Sequence, residues 1–158
     1  MKDIIDQFIE DKNVAIAGVS RDPQKWGHTL YKALIKKGYH VYPVNPGIDE
    51  IEGAKCYHSV SELPDTVSNL IITTSPEATL EIVKAAQQSG IRNIWMHQGA
   101  GGAGAQSQEA IDLCQQNGMG VVYGFCPMMF LPPVGIHKIH LWMKKISGKY
   151  PADFHKSN

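Results

Sequence analysis

The sequence predicts an α/β fold, doubly wound, with a mainly parallel sheet of about five strands and helices on both faces. Three observations carry this. Short apolar runs bounded by polar residues, such as Asn13 to Val19 and Val67 to Thr73, have the pattern of strands buried on both faces. They alternate with amphipathic helical stretches that close on a glycine, at Gly38, Gly90 and Gly118. Finally, 158 residues with 43% hydrophobic and 19% charged content suit a single compact core, and exclude a disordered, collagen-like or coiled-coil chain.

Taken in order, Ile4, Ile5, Phe8 and Ile9 recur at helical spacing, so Lys2 to Asp11 is expected to be a short amphipathic helix leading into the strand at Asn13 to Val19. A helix follows from about His28 to Lys37, its last lysines suiting the negative end of the helix dipole. Tyr39 to Val44 is the second strand. The turn-rich stretch from Asn45 to Gly53 leads to a weak third strand at Ala54 to Tyr57, and Ser61 to Pro64 reads as a helical turn. After Val67 to Thr73, Pro76 stands at the first position of a helix that runs to Ser89. A strand at Arg92 to Met96, a helix from about Ser107 to Asn117 and a strand at Gly120 to Tyr123 complete a Rossmann-like series, read as one domain over residues 1–130.

Fifteen basic residues balance fifteen acidic ones, so the molecule offers no field for a polyanion, and no nucleic-acid partner is expected. The balance is uneven along the chain. From Leu131 to Asn158 there are five lysines against Asp153 alone, which leaves residues 1–130 at net minus four. Within this tail Ile136, Ile139, Met143 and Ile146 form one apolar stripe, read as a C-terminal amphipathic helix that docks on its own domain or on a twin subunit rather than on a membrane. The three cysteines fit neither a disulfide framework nor a metal site. The acid-rich N-terminus cannot be a signal peptide, and no apolar run reaches the roughly 18 residues a membrane span needs, so a cytoplasmic protein is expected.

Ligands of such sheets bind beyond the carboxyl ends of the strands, where the strand order reverses. That selects the loops after Val19, Val44, Thr73 and Met96. In the first, Gly18 to Gly27, backbone N–H groups and the next helix N-terminus can hold a pyrophosphate, with Ser20, Arg21 and Lys25 beside it. The dinucleotide pattern G-x-G-x-x-G fails because Ser20 and Pro23 replace its second and third glycines, and Asn45 stands where an acid would take the ribose hydroxyls of NAD. A Walker loop is also missing.

Gly18-Val19-Ser20 with Lys25-Trp26-Gly27, Val44-Asn45-Pro46, Thr74-Ser75-Pro76, Trp95-Met96-His97-Gln98-Gly99 and Cys126-Pro127 together resemble the small single-domain CoA-binding proteins, a family similar to the N-terminal domain of the succinyl-CoA synthetase alpha subunit. The match runs from about Asp11 to Met129. The resemblance implies coenzyme A as ligand. Gly18, Val19 and Ser20 would hold its pyrophosphate, neutralised by Arg21 and Lys25. Val44, Asn45 and Pro46 would border the adenosine; Thr74, Ser75 and Pro76 would line the pantetheine arm; Gln98 and Gly99 would lie near the thiol. Gly47 stands where the family often has a base, and Lys55 can substitute as cation for the 3′-phosphate.

Catalytic constellations are few. His97 is expected as a polar loop residue near the ligand; the phosphohistidine of succinyl-CoA synthetases lies in a domain this chain lacks. Cys126 is read as a buried structural thiol, with contact to the CoA thiol, up to a mixed disulfide, as the functional variant. No catalytic residue and no metal are expected, His137 and His140 being the only closely spaced histidines. The glycine stretch from Gly99 to Gly104 reads as a flexible segment, with a flap over the thiol end as its functional variant. The sequence thus points to a module that binds CoA or an acyl-CoA without catalysis of its own. A CoA-ligase component that needs a partner chain, or an NAD(P) oxidoreductase, stands as the alternative.

Overall fold

The structure, a computed structural model, describes residues 1–99 and 104–130. Its strands in chain order are β1 (Asn13–Ala17), β2 (His40–Val44), β3 (Glu50–Ile51), β4 (Ala54–Lys55), β5 (Asn69–Ile72), β6 (Asn93–His97) and β7 (Gly120–Phe125). The helices are α1 (Lys2–Glu10), α2 (Trp26–Lys36), α3 (Pro76–Ala86) and α4 (Gln108–Gln116). Five strands form one sheet in the order β2-β1-β5-β6-β7, every neighbouring pair parallel. The predicted doubly wound α/β class is borne out, while the predicted C-terminal helix and the pair His137/His140 lie outside the described residues.

Alternation along the strands divides the core in two. Val14 and Ile16 of β1 face one way, joining Phe8 of α1 and Leu30 and Leu34 of α2 in a cluster centred on Trp95. Ala15 and Ala17 face the other way, toward Val83 of α3 and Ile111 and Cys114 of α4. Phe8 meets the Trp95 ring edge-on at 5.4 Å and 84°, which fixes α1 across the sheet. The Trp95 indole N–H donates to the Phe125 carbonyl at 3.0 Å, so the largest core side chain buries no unpaired donor.

Two of the differences from expectation have local reasons. β1 ends at Ala17 because Gly18 takes φ +93° and turns the chain out of the sheet. The third predicted strand, Ala54 to Tyr57, does not enter the sheet. It supplies β4, which pairs antiparallel with β3 in a separate hairpin, and a single bridge from Tyr57 to Val44 ties this hairpin to the edge strand.

The amino end of the sheet carries a buried polar network. Asp11 accepts from Asn69 Nδ2 at 3.0 Å, and Asn93 Nδ2 donates to Asn69 Oδ1 at 3.0 Å and to Gln7 Oε1 at 2.7 Å. Asn93→Ala would leave the buried Asn69 Oδ1 without its donor, so urea unfolding should read a loss of about 1–3 kcal/mol with ligand affinity unchanged. No helix among the described residues is long and apolar enough to cross a membrane.

Candidate functional site

Strands β2 and β5 flank β1, so the chain order reverses at β1 and a crevice opens beyond the carboxyl ends of β1 and β5. The loop after β1 is wound tightly. Gly18 N–H donates to the Val44 carbonyl at 3.0 Å, the Ser20 hydroxyl accepts from Asp22 N–H at 3.1 Å, and Asp22 Oδ1 accepts from Gln24 N–H at 2.9 Å. Lys25 then caps α2. Gly27 is required here, since a Cβ at this position would collide with the Gly18 carbonyl oxygen.

Two side chains hold this loop from behind. Asn45 Nδ2 donates to the Val19 carbonyl at 2.7 Å while its Oδ1 accepts from Gly47 N–H at 2.9 Å. His28 Nδ1 lies 2.8 Å from the Ser20 carbonyl, and since a carbonyl only accepts, this nitrogen carries the hydrogen. In a trans peptide C=O and N–H point opposite ways, and the described residues have no cis bond. The N–H groups of Ser20 and Arg21 therefore face away from those two anchors, and neither has a partner among the described residues. Successive N–H groups with no protein partner among the described residues, beside the first turn of an 11-residue helix, are the kind of donors that can serve an anion. Arg21 and Lys25 are both exposed; Arg21 Nε donates to the Glu50 carbonyl at 3.2 Å.

Beside the loop lies a cleft of about 580 Å³, mostly apolar, between the ends of β1 and β2, residues 58–60 and α3. Of the residues expected to bind, Gly18, Val44, Asn45, Pro46 and Thr74 line it. Sequence reasoning missed His58, Ser59 and Val60, and also Ala78, Glu81, Ile82 and Ala85 of α3. The last four fall at i, i+3, i+4 and i+7, one helix face, and its alanines were the available signal: with Ala17 of β1 they stop short where larger side chains would close the space. Ser75 and Pro76 sit at the start of α3, Ser75 Oγ accepting from Ala78 N–H at 3.5 Å. Thr73 Oγ1 donates to the Ala17 carbonyl at 2.9 Å, joining β5 to β1 at the crevice.

The other predicted residues stand apart from the cleft, past the end of β6. Between the Trp95 and His97 pairings β7 carries one extra residue, a bulge at which Gly124 adopts φ +77°. Gln98 N–H donates to the Phe125 carbonyl at 3.2 Å, and Gln98 Oε1 lies against Gly124, near Gly99. Cys126 is 7% exposed and packs in the cluster beneath α1 and α2. Val19, expected on the pyrophosphate, is fully buried in that same cluster, so only its backbone can take part.

The His97 ring stacks on Trp26 at 5.0 Å and 20°, and its buried Nδ1 has no partner among the described residues. Burial lowers its pKa from 6.5 to about 4, so the imidazole is neutral at physiological pH. The unfolded chain takes up this proton near pH 6.5 and the folded protein only near 4, so the unfolded state binds more protons between those values. Stability therefore falls as pH drops through that window. His97→Phe, which keeps a ring against Trp26, should lose less melting temperature between about pH 6.5 and about 4 than the parent; equal losses would contradict the assignment. No group of three or more His, Cys, Asp or Glu residues able to hold a metal occurs among the described residues.

An outward-facing N–H loop at the switch point and an apolar cleft beside it suit a ligand with both an anionic and an apolar part. Residues 12–132 match the model of the CoA binding domain family. The chain belongs to this family. Across 143 residues it is 28% identical to the alpha subunit of an ADP-forming acetate–CoA ligase II from Pyrococcus furiosus, a match covering 87% of this chain and 30% of that subunit. The chain thus spans less than a third of this ligase relative. It is also 26% identical over 115 residues to the uncharacterised Bacillus subtilis protein YneT, covering 73% of this chain and 82% of that one. Among solved structures, a conserved hypothetical protein from Pyrococcus furiosus superposes with a TM-score of 0.68 at 37% identity, over 73% of this chain and 96% of its own. A dinucleotide-forming acetyl-coenzyme A synthetase from Candidatus Korarchaeum cryptofilum superposes at 0.65 and 27% identity, over 75% of this chain and 27% of its own.

Proposed function

We propose that this protein binds coenzyme A, free or acylated, across the carboxyl ends of β1, β2, β5 and β6, and acts as a cytoplasmic binding module without catalysis of its own. In this reading the pyrophosphate lies on the Ser20 and Arg21 N–H groups and the first turn of α2, with Arg21 and Lys25 offsetting its charge. The adenosine enters the cleft bordered by Val44, Asn45 and Pro46. The pantetheine passes Thr74, Ser75 and Pro76 toward Gln98, Gly99 and Cys126. Residues 1–130 make up this binding unit, and the basic segment 131–158 is a separate extension.

The observation that carries the reading is the pairing of an anion loop with an apolar cleft at one switch point, in a chain of the CoA-binding family. A second reading, a component that works with a ligase partner chain, is favoured by the likeness to the acetate–CoA ligase alpha subunit. Calorimetry with CoA, acetyl-CoA, dephospho-CoA and NAD tests the proposal. CoA or acetyl-CoA should bind and NAD should not; tight binding of NAD with none of CoA would overturn it.

A further inference from the structure

The β3–β4 hairpin reaches the loop after β1 by two routes, through His28 of α2 to the Ser20 carbonyl and directly at the Arg21 side chain. At its turn, Glu52 and Gly53 have φ +50° and +80°. Turns of this kind favour Asn-Gly, and a glutamate at positive φ is strained. Among the described residues Glu52 is the only non-glycine with positive φ. Its carboxylate, 40% exposed, has two partners: Oε2 lies 2.6 Å from Lys32 Nζ, and Oε1 lies 3.5 Å from His28 Nε2, an ion pair when the imidazole carries a hydrogen on that nitrogen as well. The opposite nitrogen of that imidazole, Nδ1, donates to the Ser20 carbonyl at 2.8 Å. The side chain of His28 is 11% exposed, so the ring is held between these two partners. The second contact is Arg21 Nε on the Glu50 carbonyl at 3.2 Å.

We infer that Glu52 is a positioning residue for the anion loop: through His28 it turns the Ser20 carbonyl away and so presents the Arg21 N–H to the ligand phosphate. This rests on the proposed CoA site and names what orients it. The hairpin is a strap on the binding loop, and the strained glutamate at its tip is retained because a better turn former would release the histidine. Asn is the residue that makes the distinction, since it relieves the strained φ but is too short to reach His28.

The test compares the parent, Glu52→Asn and Glu52→Gln by calorimetry with CoA and by thermal melting. Gln keeps the reach and can face either form of the ring, its amide oxygen accepting from an Nε2 that carries a hydrogen and its amide N–H donating to one that does not, so it serves as the conservative rescue. Glu52→Asn should melt no lower than the parent, because the exposed Lys32 pair contributes little and the improved turn offsets the loss of the 3.5 Å contact with His28. Its CoA dissociation constant should rise about tenfold, the loss of one oriented hydrogen bond, while Glu52→Gln stays within about twofold of the parent. Equal affinity in all three proteins overturns the inference, and so does an equal loss in both variants, which would mark a general effect of charge or strain. A parent that binds no CoA instead defeats the proposed function, so the two failures are distinguishable.

Discussion

Gly27→Ala is expected to raise the CoA dissociation constant by at least about a hundredfold, about 2.7 kcal/mol. The cause is a collision between backbone and a new methyl group, not the loss of a contact. A Cβ on residue 27 would run into the Gly18 carbonyl oxygen and would also stand 3.0 Å from Thr73 Oγ1, and neither is the free end of a flexible chain. Gly18 is held by its own hydrogen bond to Val44, and Thr73 by its bond to Ala17, so the strain must pass into the start of α2 or into the loop. Either movement separates the helix N-terminus from the Ser20 and Arg21 N–H groups. Overpacking of this kind also costs about 1–3 kcal/mol of stability. Gly38→Ala is the control, because Gly38 has φ +79° yet a Cβ there meets nothing within 4 Å. It should lose stability, about 1 kcal/mol, with CoA affinity unchanged. Parental affinity in Gly27→Ala would show that the ligand does not rest on this loop.

The difference between what the sequence disclosed and what it concealed has a physical origin. Residues whose role is set by local chain geometry were legible: Gly18 and Gly27 at the turn, Asn45 after β2, and Ser75 and Pro76 opening α3 all lie at strand ends, where fold class alone directs attention. Val19 stands in the loop after β1 with its side chain in the core, because the turn at Gly18 inverts the alternation of the strand. The sequence predicts a third strand where the hairpin stands, since two residues of β4 have strand character and nothing local reveals that their partner is β3. The hairpin's hold on His28 spans 24 positions in the chain and has no motif. The α3 face of the cleft was missed for another reason: Ala78 and Ala85 contribute by being small, and pattern reading attends to the chemistry a side chain offers.

That smallness makes the cleft the second place where one substitution should have a large effect. Ala78, Ile82 and Ala85 share a helix face with Glu81 and look across about 580 Å³ toward Val44, Pro46 and Val60. A ligand that places an aromatic base in this space needs the alanines to stay small. In Ala78→Phe the ring would project from the first turns of α3 into the space the base needs, and CoA affinity should fall by at least about a hundredfold. Folding should be little affected. Phenylalanine has a helix propensity about 0.5 kcal/mol worse than alanine, while partial burial of its ring against apolar walls contributes about 1–2 kcal/mol in the opposite direction. The expected pattern is lost binding in a protein that melts at or above the parental temperature, the reverse of Gly27→Ala, which loses both. ADP should lose affinity in parallel with CoA, whereas 4′-phosphopantetheine, which has no base, should bind as it does to the parent. If ADP and CoA keep their affinity in Ala78→Phe, the base lies elsewhere. The cleft would then have to be assigned to some other part of the ligand, even with the phosphates still on the loop after β1.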